Sequence, residues 1–540
     1  MLTRVLIFLL IALPKSNCKH IVDLSNGRLE DTESFSTLED LPQETTYLIL
    51  SKNNITAVDI FPVSPNLEDL NLRYNSLTEF PQMINVSGTL ERLLLTQNNI
   101  MHIKPERLAC LSHLISLDLK ENNLHHFPDV AGLNEFANLD LLRNNFTEFP
   151  ELKNIGQTLI QLILGYNKIT NLDSLTLMPE INSINLESNS FAIDSCFLHF
   201  FPIVTSVNFG SNTINVWPDF SNATRITNLI LSQCELRQVP TSSLAHLPLE
   251  SLIISHNKID WQHVEDIYIP TLAILDMKSG ILEVIPRWKN LSKSLKILRL
   301  GGNRILTLED SDLDNYHALT ELHLSNNLIT SMPYLWNNGM KLTILNLSKN
   351  LITSVTLKQL EPIRNCTSLS LNGNKMKDLP NICLADFVMT VTIQIASNPF
   401  HCSASLLQAW HNSPAGNFTF VTDGSEYCSS PLDLSGRSLA NIGFDEVTNE
   451  QHISNGTAYK YKRFSPSPHC LQPITVVHAN VSLVGCAVLC LSVRNCLRIG
   501  HSSTLTGQLC AITSTMTEPK DPRHHFHWYQ MVPEAEIGSP

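Results

Sequence analysis

The residue types that do chemistry are present in this chain, but their spacing points away from catalysis. His524-His525-Phe526-His527 places three histidines within four residues. No carboxylate or thiolate stands at a spacing that would complete a known metal site, so the run is expected to be a polar surface stretch and not a metal centre. There is no G-x-S-x-G, no H-E-x-x-H and no phosphate-binding loop. The chain is therefore expected not to be an enzyme and to need no cofactor.

Cysteines and asparagines are the informative residues. Cys402 and Cys428 stand 26 residues apart. Cys486, Cys490, Cys496 and Cys510 crowd the last 70 residues, with Cys470 before them. Cys486 and Cys490 are four apart, one helical turn. Ten asparagines stand in glycosylation sequons: Asn54, Asn85, Asn145, Asn222, Asn290, Asn346, Asn365, Asn417, Asn455 and Asn480. Their use requires the secretory route. Arg4, the apolar run Val5–Leu13, Pro14, and the small residues Ser16 and Cys18 give residues 1–18 the pattern of a signal peptide.

A third set of asparagines is periodic. Leu67, Leu70, Leu72, Asn75 and Leu77 recur as Leu114, Leu117, Leu119, Asn122 and Leu124, and later as Leu342, Leu345, Leu347, Asn350 and Ile352. Sixteen copies run from Asn53 to Asn398, fifteen steps over 345 residues, a mean period of 23. Only Cys234 and Gly280 replace the Asn. Leu-x-Leu has the two-residue period of a strand, so both leucines face one side. One strand cannot bury that side alone, and stacked copies would make a parallel sheet over a continuous core. The Asn amide would then satisfy main-chain groups where the chain turns inward. A loosened segment is expected near 260–282, because Gly280 brings no side chain to that ladder. Eight repeats carry an apolar residue and proline five and six positions after the Asn, such as Phe80-Pro81 and Phe127-Pro128. Proline excludes a helix there.

The unit L-x-x-L-x-L-x-x-N-x-L resembles the leucine-rich repeat. The resemblance implies an α/β-type leucine-rich-repeat solenoid, with a curved parallel β-sheet on the concave face and turns and short 3-10 pieces on the convex face. With Val22-Asp23-Leu24 before the array and Asn398-Pro399-Phe400-His401-Cys402 after it, the chain resembles Toll-like receptor ectodomains over about 420 residues, and the likeness to that family's C-terminal cap implies a bridge Cys402–Cys428. The resulting organisation is a signal peptide over 1–18, an N-terminal cap over 19–44, the solenoid over 45–400, a C-terminal cap over 401–445 and a linker over 446–469. Residues 470–535 resemble a PAN/apple-like module, a small disulfide-rich α+β unit. That likeness implies bridges Cys486–Cys510 and Cys490–Cys496. Cys470 is left to link two chains, to pair elsewhere, or to stay free. The rival reading makes Ile474–Val493 a membrane span with a short tail.

At 540 residues the chain exceeds one ordinary core, and 43% hydrophobic against 16% charged residues excludes a disordered tail. A net charge of −13 argues against general binding of nucleic acid or heparin, leaving room only for a local basic patch. Function is expected on the concave strand face. The residues singled out there are Asp69, Arg73, Arg92, Asp118, Lys120 and Asp140, of mixed charge, then the neutral Asn208, Ile230 and Ile253. The expected role is recognition of a protein or glycan ligand by a secreted protein in innate immunity or adhesion. The alternatives are a matrix scaffold and a single-pass receptor.

Overall fold

A computed structural model describes residues 20–26, 41–58, 61–191, 197–214, 223–239, 241–261, 267–288, 293–309, 315–332, 342–360, 366–378, 391–403 and 426–442. It also describes isolated residues between these and six strands, at 418–421, 460–463, 475–479, 498–504, 507–513 and 527–532. The chain forms two compact units, 1–274 and 275–540.

The first unit is a parallel β-solenoid. Its strands are β1 (Ile21–Asp23), β2 (Tyr47–Ile49), β3 (Asp69–Asn71), β4 (Arg92–Leu94), β5 (Ser116–Asp118), β6 (Asn138–Asp140), β7 (Gln161–Ile163), β8 (Ser183–Asn185), β9 (Ser206–Asn208), β10 (Asn228–Ile230) and β11 (Ser251–Ile253). Each pairs in parallel with the next in unbroken register, so that Leu48, Leu70, Leu93, Leu117, Leu139 and Leu162 align. From β2 onward the central residue of each strand and the apolar residue two positions on are buried, while the residue between them looks outward. Burying one leucine contributes roughly 1.5–3 kcal/mol, and every coil repeats the gain.

The second unit holds β12 (Ile274–Asp276), β13 (Ile297–Arg299), β14 (Glu321–His323), β15 (Ile344–Asn346), β16 (Ser368–Ser370), β17 (Val391–Gln394), β18 (Phe400–His401), β19 (Phe418–Val421) and β20 (Cys428–Ser430). From β13 to β17, and on to β19, the pairing is again parallel and in register. Cys402 is bonded to Cys428, with Cα atoms 5.6 Å apart, beside the paired strands β18 and β20.

Asparagines hold the turns. In the coil of Asn122, Nδ2 donates to the carbonyls of Leu95 (2.9 Å) and Leu119 (3.0 Å), and Oδ1 accepts the Ile100 N–H at 3.1 Å. Asn75, Asn98, Asn144 and Asn167 repeat the pattern. Fourteen ladder asparagines are buried, from Asn53 to Asn398. The residue before the ladder position sits at positive φ in coil after coil, for example Gln97 at 54° and Glu121 at 55°.

Helix is confined to single turns among the described residues: α1 (Pro105–Ala109), α2 (Thr241–Leu244) and α3 (Leu357–Leu360), with 3-10 turns such as Ile84–Val86 and Ile155–Gln157. Pro105 starts α1, where its missing donor costs nothing. Phe80, Phe127 and Phe149 fill the core just before their prolines.

The last strands are β21 (Lys460–Arg463), β22 (Thr475–Ala479), β23 (Arg498–Thr504), β24 (Gly507–Thr513) and β25 (His527–Val532). They form an antiparallel sheet in the order β21-β25-β23-β24-β22. Lys460–Arg463 lies in the expected linker, yet it pairs with β25 at one end of the strand order. Thr475–Ala479, inside the segment considered as a membrane span, is a strand paired with β24. Among the described residues no helix is long and apolar enough to cross a membrane. Cys470, Cys486, Cys490, Cys496 and the expected helix lie outside the described residues, as do residues 1–19, His524 to Phe526 and the sequons Asn222, Asn365, Asn417, Asn455 and Asn480. Cys510 falls on β24.

Candidate binding face

Strand alternation turns three side chains per coil away from the core: the first and third residues of the strand and the one two beyond. The strands are in register, so these form rows. The middle row of the first unit reads Asn71, Leu94, Asp118, Asp140, Ile163, Asn185, Asn208, Ile230 and Ile253. Every residue singled out from the sequence lies on this face.

At one end the charges meet. Asp69 and Arg92 are cross-strand neighbours and form a two-pronged pair, Nε to Oδ1 and Nη2 to Oδ2, the latter 2.6 Å. Asp69 is nearly buried, and its hydrogen bond lifts the already high pKa of Arg92. Arg73 crosses β4 to reach Asp118, which also accepts the Thr96 hydroxyl at 2.7 Å and the Lys120 N–H at 3.1 Å. Thr96 was not anticipated, although it occupies the same outward position as Arg73 and Lys120, two residues past its strand. Lys120 leans toward Glu121 at 3.8 Å.

Asp140 differs from these. It accepts the Leu142 N–H at 2.9 Å, and among the described residues no cation touches it. Burial pushes its carboxyl pKa up, with repulsion from Asp118 adding to the shift and the Leu142 N–H, Lys120 and Arg73 opposing it.

Beyond Asp140 the face turns neutral. Asn208 donates to Glu187 at 3.1 Å and accepts the Gly210 N–H at 2.9 Å. A Cβ on Gly210 would stand 3.1 Å from that Asn208 oxygen, so the bare backbone fits the site. Ile230 and Ile253 lie side by side, half-exposed, above the Ser232–Ser255 hydroxyl contact of 2.9 Å.

Of the described sequons, Asn54, Asn85 and Asn290 are exposed, and Asn145 and Asn346 are half-exposed. The Asn85 amide donates to the Phe61 carbonyl at 2.8 Å, and Asn346 accepts from its sequon partner Ser348 at 2.7 Å. Among the described residues no cluster of His, Cys, Asp or Glu is arranged to hold a metal.

The same architecture occurs in a leucine-rich-repeat protein of Leptospira interrogans, with a TM-score of 0.52, 22% identity, and coverage of 66% of this chain and 90% of that one. This chain has a leucine-rich-repeat fold. No family model matches it. Among curated proteins, an adenylate cyclase of Schizosaccharomyces pombe is 26% identical over 281 residues, 48% of this chain and 16% of that protein. A protein phosphatase 1 regulatory inhibitor subunit homolog of Arabidopsis thaliana is 26% identical over 159 residues, 29% of this chain and 48% of that protein. The human leucine-rich repeats and immunoglobulin-like domains protein 1 is 27% identical over 161 residues, 28% of this chain and 14% of that protein. This leucine-rich-repeat chain therefore spans less than half the length of each of these curated relatives.

Proposed function

We propose that this chain is a secreted recognition protein that binds a protein ligand across the outward face of β3–β11. The observation that carries the reading is the in-register row running from Asp118 and Asp140 through Ile163 to Asn208, Ile230 and Ile253. It offers at one end Asp140, a carboxylate with no ion pair among the described residues, and at the other half-exposed isoleucines. A protein surface bearing a basic side chain and an apolar anchor complements both, whereas a neutral glycan would leave the isoleucines unused. Burial at the centre of such an interface is where a few residues carry most of the affinity. The ion pairs Asp69–Arg92 and Arg73–Asp118 serve as the preorganised surround. The disulfide Cys402–Cys428, the sequons and the signal-like residues 1–18 support an oxidising, extracellular setting. A role in immunity or adhesion belongs to this proposal as its biological setting.

The test expresses the full chain in a secretory cell and screens the recovered protein against a panel of extracellular proteins. Asp140→Lys and the pair Ile230→Glu with Ile253→Glu should each weaken a saturable ligand at least about tenfold, the loss of one hot spot. Retention of the chain in a carbonate-resistant membrane fraction would overturn secretion. A ligand indifferent to both variants, with folding intact, would remove the face from the argument. Binding only to glycans, or only self-association, would favour the glycan and scaffold alternatives.

A further inference from the structure

Cys234 interrupts the ladder in a way that changes the surface beside it. Its thiol still donates weakly to the carbonyls of Phe209 (3.4 Å) and Ser232 (3.3 Å). It has no Oδ1 to receive the neighbouring coil's N–H, and the Ile214 N–H goes instead to the Cys234 carbonyl at 3.3 Å. The next residue, Glu235, takes φ of 58°. Within the array, positive φ at non-glycine residues otherwise falls on the residue before a ladder position, as at Gln233 (56°) and His256 (57°), so at Cys234 it falls on both sides. A groove of about 460 Å³ opens along these coils, from Asn189 to Lys258. That is within the size range of small-ligand sites, roughly 300–1,000 Å³.

Its lining is polar and partly cationic. Arg237, His256 and Lys258 share it with hydroxyls and amides, including Ser190, Thr213 and Gln233. Glu235 is the carboxylate in the lining, and Asp260 follows nearby with interactions of its own. Cations on the same edge in earlier coils are already engaged: Arg143 pairs with Glu121 at 3.2 Å and lies over Tyr166, Lys168 donates to Asn145 at 2.9 Å, and Lys52 lies over Tyr74. Among the described residues, no carboxylate lies within ion-pair reach of Arg237 or Lys258. In a chain of net charge −13, this is a local reversal of sign.

We propose that this groove binds a sulfated saccharide, as a site separate from the outward sheet face. Arg237 and Lys258 hold sulfate groups through charge-assisted hydrogen bonds, Arg with a planar fork and Lys as a point charge. Ser190, Thr213 and Gln233 meet ring hydroxyls. The lining has no Phe, Tyr, Trp, Leu, Ile, Val or Met side chain to anchor a peptide, which favours the polyhydroxylated ligand over an acidic peptide.

The probe is a heparin-derived tetrasaccharide, titrated by calorimetry into the full-length secreted protein at low and physiological salt. Arg237→Glu with Lys258→Glu should weaken binding at least about tenfold and flatten its salt dependence, because fewer counterions are released. Ser190→Ala with Thr213→Ala, which leaves the charges in place, should weaken it several-fold. Lys153→Glu, a charge change on another coil and outside the lining, is the control and should leave binding unchanged. Thermal unfolding of each variant separates lost binding from lost fold. Tetrasaccharide binding unaffected by the double charge reversal, or no binding by the native chain, overturns the site. Tighter binding of a polyglutamate peptide of equal charge overturns the choice of saccharide.

Discussion

The coils of Asn122 and Cys234 have the same core and different turns. Leu117 and Leu229 are equally buried at the centres of β5 and β10, and both strands pair in register on either side. In the first coil, one asparagine ties its own turn to the coil before it, as donor to Leu119 and Leu95 and acceptor from Ile100. In the second, a thiol of similar size keeps a weak donor and loses the acceptor, and the backbone rearranges around it. The comparison teaches that leucines fix where a coil lies, while the ladder amide fixes the conformation of its edge. The groove runs past the coil in which Cys234 stands in place of the amide.

If the cores are equivalent, Leu117→Ala and Leu229→Ala should cost alike, about 2–5 kcal/mol each in urea unfolding. A much smaller loss for Leu229→Ala would mean that the Cys234 region is loosely packed, and the comparison would fail at its base.

The next effect is at the turn. Asn122→Ala should cost about 1–3 kcal/mol, mainly because the buried Ile100 N–H loses its acceptor. The Leu95 and Leu119 carbonyls keep a second donor from Asn98 and Asn144, which limits the damage. Cys234→Ala should cost under about 1 kcal/mol, since a thiol donor is weak and the Ile214 N–H already has another partner. Equal losses for the two would show that ladder hydrogen bonds are not what separates the coils.

Cys234→Asn sharpens the same point in the other direction. Restoring an amide should recapture the Ile214 N–H and add about 0.5–1.5 kcal/mol, as one hydrogen bond does. It should also return the edge to the regular pattern and weaken the groove's ligand. The native thiol, its pKa raised to about 11 by burial, should resist alkylation at pH 8 until the protein unfolds.

Much of this was legible in the residues. The 23-residue period named the strands, because Leu-x-Leu can bury only one side, and it named the outward positions that carry Asp69 through Ile253. The weak point at Cys234 was visible as a missing amide. Its consequence was not, because the lining of the groove, apart from the ladder residues Asn189 and Asn212, comes from several coils at offsets of −1, +1 and +3 from the ladder, where no residue type marks the positions. The pairing of Arg73 with Asp118, 45 residues away, was also hidden. Alternation gives the face of a side chain, but not how far a long arginine reaches across it. Lys460–Arg463 read as a linker because four residues without a partner in view carry no strand signal strong enough to outweigh their charge.

The smallest expected effect lies on the outward face, between adjacent strands. Asp118 is in contact with Arg73, Thr96 and a backbone N–H, whereas Asp140 touches one backbone N–H and feels Asp118, Lys120 and Arg73 only at a distance. Burial raises the Asp140 pKa, so the folded chain holds this proton more tightly than the unfolded chain does. Stability from this group is therefore complete below the ordinary carboxyl value of about 3.9 and falls as pH rises through the folded value. Asn at 140 keeps an oxygen for the Leu142 N–H and removes the charge. Asp140→Asn should match the native chain in strongly acid solution and melt slightly higher at neutral pH, with the gap opening as the native carboxyl ionises. A native chain that stays the more stable at neutral pH would show that Lys120 and Arg73 compensate Asp140 across the face, and the contrast with Asp118 would disappear.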